Sequence, residues 1–147
     1  MDCSNIKTNN SVDFKTTDKP YLIKKYAENW YAYKNWSFEY LKNLDSNLLV
    51  NTVGGYYSEK MEIIPCKLKD YIEKIVSNET TTYLALFHIF KAFPNLKKHI
   101  KYDEIKKHSI YCTLLSWIGP KGAITGFHAD WSENINISIK GKKNFYL

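Results

Sequence analysis

Arginine is absent from this chain, and all 21 basic residues are lysine. The planar guanidinium fork that reads guanine or grips phosphate with two parallel bonds is therefore missing. Lysines occur throughout and adjoin only in short runs such as Lys24-Lys25, Lys97-Lys98 and Lys106-Lys107. The net charge of +6 is thus read as a solvated surface, and nucleic acid is not expected as the main partner. Cysteine is scarce. Cys3, Cys66 and Cys112 are odd in number and widely scattered, which excludes a disulfide framework or a metal finger and suggests free thiols in a reducing compartment. No apolar run approaches the length of a membrane span, and Met1-Asp2-Cys3-Ser4-Asn5 lacks a signal-peptide core. An intracellular chain with no membrane partner is the expectation, and the Asn-x-Ser/Thr triplets are then incidental.

What is present suits a packed body. The 147 residues suffice for one domain, and an aromatic content of 16% argues against disorder. Residues 1–18 are polar and aperiodic, and are read as a flexible leader. Residues 19–147 form the expected domain, with a helical and strand region at 19–108 and barrel strands at 109–147. In the first part, Tyr21-Leu22-Ile23 starts a strand after Pro20, and Trp30, Tyr33 and Trp36 cluster around a turn. Ser37 caps a helix bearing Tyr40, Leu41 and Leu44. Leu48 to Val53 is a strand ended by Gly54-Gly55. Leu68, Tyr71, Ile72, Ile75 and Val76 recur at the spacing of an amphipathic helix. Thr81 to Ala85 reads as a strand, and Ile89 to Phe93 as a short helix ended by Pro94. In the second part, strands are expected at Ser109–Trp117, around Thr125–Asp130, along alternating Ile135, Ile137 and Ile139, and from Lys143 after a reversal at Gly141-Lys142.

The chemistry is concentrated at Phe127-His128-Ala129-Asp130. On an extended segment, side chains two apart point to one side, about 6.6 Å from each other along the strand. An imidazole and a carboxylate so placed supply two of the three ligands of the facial triad that binds non-heme Fe(II). No histidine follows His128 in the sequence. His88, His99 and His108 have no carboxylate at ligand spacing and are read as surface or capping residues.

The ordered set Trp117-Ile118-Gly119-Pro120-Lys121-Gly122, Thr125, His128-Ala129-Asp130, Asn134 and Lys140-Gly141-Lys142-Lys143 resembles the JmjC and cupin-like 2-oxoglutarate oxygenases, in their hydroxylase branch. The likeness extends upstream through Lys19-Pro20-Tyr21-Leu22-Ile23, Trp30, Trp36-Ser37-Phe38-Glu39-Tyr40-Leu41 and Tyr83-Leu84-Ala85. It implies a mainly β fold with N-terminal α+β elements: a partial double-stranded β-helix, of the jelly-roll or cupin-barrel kind, lacking its C-terminal strands. It also implies that His128 and Asp130 are the catalytic metal ligands for Fe(II). Thr125, Lys143, Asn134 and Tyr83 would bind 2-oxoglutarate, with Trp117 at the pocket wall. The implied activity is a 2-oxoglutarate/Fe(II)-dependent dioxygenase, hydroxylating or demethylating a protein or other substrate.

The chain departs from the family pattern in the missing distal histidine, in the closing strands, and in Gly126, where a proline is common. Three accounts are compatible with this: the N-terminal part of an active oxygenase whose remainder supplies the histidine, a noncatalytic truncated JmjC-like module acting as an interaction protein, and a basic binding protein with an incidental motif.

Overall fold

The computed structural model describes residues 8–9, 20–54, 61–107 and 111–146. Most of the leader, Gly55, His108, Ser109, Ile110 and Leu147 lie outside the described residues. In chain order the elements are β1 (Thr8–Asn9), β2 (Leu22–Ile23), α1 (Tyr31–Asn35), α2 (Phe38–Lys42), β3 (Leu49–Gly54), β4 (Glu62–Lys67) and α3 (Leu68–Val76). There follow β5 (Leu84–Phe87), α4 (Ile89–Ala92), a 3-10 helix (Pro94–His99), α5 (Tyr102–Lys106) and β6 (Ser116–Ile118). Within the stretch read as a leader, β1 pairs in parallel with β2.

Local chemistry explains the main elements. Ser37 accepts the Tyr40 amide at 3.0 Å and caps α2, as its position predicts. Trp30 and Trp36 flank α1 as its two caps and are both buried, where the sequence suggested a turn. The stripe of α3 buries Leu68, Tyr71, Ile72 and Ile75, each aliphatic side chain stabilising the fold by about 2 kcal/mol. Around it gather Trp36, Leu41, Val50, Leu84, Ile89, Phe90, Leu96 and Ile118, the principal core.

Three two-stranded sheets carry the β structure among the described residues. Strands β3 and β4 are antiparallel with Val50 opposite Cys66 and Asn51 opposite Pro65. Strand β4 was not legible because Pro65 interrupts its pattern; at the edge of a two-stranded ladder a missing N–H is tolerated. A bridge between Val53 and Tyr83 joins this hairpin to the segment entering β5, which pairs antiparallel with β6 through Leu84 and Ile118.

The expected barrel strands are corrected here. Of the expected Ser109–Trp117 strand, the described residues from Tyr111 onward form a ladder only at Ser116–Ile118, and no ladder among the described residues includes 125–130, 135–140 or 143–146. Alternation reports which side faces apolar surroundings, and a ladder needs a backbone partner besides. Ile137 and Ile139 do pack against the core while Ile135 is exposed, so the sidedness is present without the pairing. Gly141, at φ +81°, makes the expected reversal. Nearby, the Lys140 ammonium donates to the Tyr33 carbonyl at 2.8 Å and lies 5.8 Å from the Tyr33 ring, tying this segment to α1. The described residues thus combine small sheets with short helices, which is compatible with the expected fold class, and they do not show the partial barrel.

His99 joins the 3-10 helix to the helical layer. The Trp36 indole N–H donates to its Nδ1 at 3.2 Å, and the Tyr31 ring lies 4.3 Å from the imidazole. A nitrogen that accepts a bond carries no proton, so this arrangement requires neutral His99. Burial first, then Lys98, lowers its pKa from 6.5. Folding therefore favours the uncharged form: the stabilisation is complete above the unfolded-state value and is lost as pH falls through the folded-state value. The urea midpoint is expected to drop between about pH 7.5 and about pH 5, with a smaller drop in His99→Gln. An identical drop in both proteins contradicts this role.

Candidate functional site

The hydroxyl of Tyr71, buried on α3, organises the neighbourhood of the site. It shares its proton between the carbonyls of Ile118 at 2.8 Å and Thr82 at 3.0 Å, and accepts the Leu84 amide at 3.1 Å. Burial raises the pKa of this phenol, keeping it protonated. One side chain thus holds the backbone on both sides of Tyr83 and the strand residue before Gly119.

Side chains alternate along strands, so Trp117 and Gly119 share one face of the β6 segment. Tyr83, next to the Leu84–Ile118 pair, lies on that same face: a Cβ at Gly119 would meet its ring at 2.5 Å. Glycine is needed there to let the buried Tyr83 ring lie against the backbone. Further along the face, the Lys143 ammonium stands 6.0 Å from the centre of the Trp117 ring. Lys143 is exposed as a residue, yet packing around its terminus lowers its pKa through desolvation. Two predicted dicarboxylate-binding residues, Tyr83 and Lys143, are therefore linked through Trp117 and Gly119.

The other predicted residues occupy the exposed extended segment. Gly126 carbonyl O lies 2.7 Å from His128 Nδ1, and Asn134 Nδ2 donates to Asp130 Oδ2 at 2.9 Å. With the Nδ1 proton on that carbonyl, His128 presents the Nε2 lone pair; Asp130 keeps its second oxygen. An imidazole anchored through one nitrogen and ligating through the other is the usual support of a metal-bound histidine. The donor types of the pair suit two positions of an Fe(II) site. The pair does not complete one, since no cluster of three His, Cys, Asp or Glu side chains suited to a metal occurs among the described residues. Thr125 is exposed on the same segment, near exposed Phe127 and Trp131. A hollow of about 420 Å³ lies elsewhere, lined by residues including Tyr40, Leu44, Phe93, Lys98 and His99, and contains none of the candidates.

Sequence reasoning did not single out Tyr71, which reads as one more apolar residue of the α3 stripe. Its signal was slight: a hydroxyl-bearing side chain at a position otherwise suited to leucine or isoleucine.

The fold and these residues define a small mixed α/β domain with an exposed His-x-Asp pair on one segment and an aromatic and lysine face on another. The chain belongs to the cupin-like domain family, matched over residues 10–147. Its relatives include JmjC domain-containing protein A of Dictyostelium discoideum, 26% identical across 99% of this chain and 64% of that protein. JmjC domain-containing protein D of the same organism is 27% identical across 92% of the chain and 36% of that protein. Lysine-specific demethylase 8 of Danio rerio is 25% identical across 92% of the chain and 36% of that protein. The chain therefore spans between about a third and two thirds of these relatives. JmjC proteins generally use Fe(II) and 2-oxoglutarate. No helix among the described residues is long and apolar enough to cross a membrane.

Replacing Tyr71 with Phe would strand a buried carbonyl, a part-buried carbonyl and a buried amide. Tyr71→Phe is expected to destabilise the protein by about 2–3 kcal/mol in urea unfolding. A loss under about 0.5 kcal/mol would contradict the arrangement.

Proposed function

We propose that this chain carries the metal- and dicarboxylate-binding portion of an Fe(II)/2-oxoglutarate-dependent oxygenase that hydroxylates or demethylates its substrate. The observation that supports this reading best is the linked set Tyr83, Gly119, Trp117 and Lys143 within a family-matched chain that also supplies His128 and Asp130.

In this reading His128 Nε2 and a carboxylate oxygen of Asp130 hold the metal, while Gly126 and Asn134 fix the other atoms of those two groups. Lys143 receives the distal carboxylate of 2-oxoglutarate through a charge-assisted hydrogen bond, and the Tyr83 hydroxyl and Thr125 add neutral ones. Asn134 orients Asp130 and borders the cosubstrate. When bound, Fe(II) supplies the oxygen activation that the side chains lack. The overall change consumes 2-oxoglutarate, O2 and a substrate C–H and yields succinate, CO2 and the hydroxylated carbon. One oxygen atom enters succinate and the other enters the product. A carbon attached to nitrogen would then leave as formaldehyde, and the relatives named as lysine-specific demethylases favour a protein substrate. The partial double-stranded β-helix belongs to this reading as its scaffold.

A second reading is a noncatalytic interaction module. It draws on the exposure of His128, Asp130, Phe127 and Trp131 and on the lack of a three-donor cluster among the described residues. Succinate formation separates the two. With Fe(II), ascorbate and 2-oxoglutarate, wild type is expected to form succinate, and His128→Ala to lose at least about a hundredfold of that rate. Turnover unaffected by the substitution rules out this metal site. Absence of both turnover and metal-enhanced binding of 2-oxoglutarate favours the interaction module.

A further inference from the structure

We propose that Trp117 is the positioning residue for the dicarboxylate-binding cation: its indole face holds the Lys143 ammonium on the ladder face that carries Tyr83. This rests on the cosubstrate reading above and adds a residue that acts through Lys143.

Three observations converge. Lys143 lies in a segment with no ladder partner among the described residues, so backbone pairing does not fix it. Its ammonium nevertheless sits over a specific ring, at 6.0 Å from the centre. That ring belongs to β6, whose backbone is bonded to Tyr71 at Ile118 and whose next residue on the same face, Gly119, abuts Tyr83. The cation is therefore referenced to the same rigid strand as the phenol.

The chemistry is self-consistent. A ring quadrupole attracts an ammonium without accepting all of its hydrogen bonds. Three N–H donors remain on Lys143, and those turned away from the ring are available to a carboxylate. The indole thus offsets part of the desolvation that lowers the lysine pKa without neutralising the charge that the ligand requires. An aliphatic residue at 117 would fill similar space and leave the lysine to wander.

The test combines a spectroscopic and a binding readout on the intact chain. Lysines are reductively dimethylated with 13C-formaldehyde, which keeps their charge, and the Lys143 signal is assigned by its loss in Lys143→Gln. In wild type that signal is expected upfield of the other lysines through the indole ring current, and at the ordinary lysine position in Trp117→Leu. Affinity for 2-oxoglutarate, measured with Mn(II) in place of Fe(II), is expected to fall about threefold to tenfold in Trp117→Leu and to recover in Trp117→Phe. An unshifted Lys143 signal in wild type, or equal affinity in wild type and Trp117→Leu, overturns the proposal. A shifted signal in a wild type that binds neither 2-oxoglutarate nor glutarate instead overturns the cosubstrate reading and leaves the Trp117–Lys143 seat in place.

Discussion

A single buried hydroxyl governs the geometry of the candidate site. Tyr71 projects from α3 between the segment entering β5 and the end of β6, and its three backbone bonds join them where the ladder is shortest. Only one regular pair, Leu84 with Ile118, stands at that end, and the ladder then shifts register before Phe87 and Ser116. Two strands alone are marginal in water. The helix stabilises them through one oxygen in a place where water cannot compete. Tyr83, Trp117 and Gly119 share a face because this junction is fixed, and Lys143 is oriented against that face.

The other half of the site is built differently. His128 and Asp130 belong to an exposed segment stabilised by contacts within itself, Gly126 with His128 and Asn134 with Asp130. Such local bonds orient a side chain but do not set its distance from a remote group. The rigid half therefore suits recognition of a ligand's distal end. The locally ordered half suits a metal that gathers its own ligands. In the proposed reading, cooperation between them would arise in the loaded site, where the metal and the cosubstrate would bridge the two.

Periodicity and local end signals made α2, α3, α4 and strand β3 legible, whereas α1 was read as a turn and α5 was not expected. The Leu68 to Val76 stripe marks α3, Ser37 marks the start of α2, and Pro94 marks the end of α4. Strand β4 was hidden because Pro65 breaks a pattern that an edge strand can accept. The C-terminal strands were expected from alternation at Ile135, Ile137 and Ile139; the partial burial of Ile137 and Ile139 accounts for two of these positions and says nothing about a hydrogen-bonded neighbour. For the candidate site, residue type and order pointed to His128, Asp130 and Lys143, and family membership gives that pattern its context. What the pattern does not contain is distance. The hydroxyl bonding of Tyr71 and the seat of Lys143 on Trp117 arise from residues far apart in sequence, and no local spacing encodes them.

The central claim is that the His128–Asp130 pair and the Lys143 cation serve one bound molecule. Mn(II) added with 2-oxoglutarate provides a direct measurement, because the paramagnetic ion broadens NMR signals close to it. The account predicts broadening of His128 together with the Trp117 indole N–H and the Lys143 side chain, all abolished in His128→Ala. Broadening confined to His128 and its immediate neighbours, with Trp117 and Lys143 sharp, would contradict it.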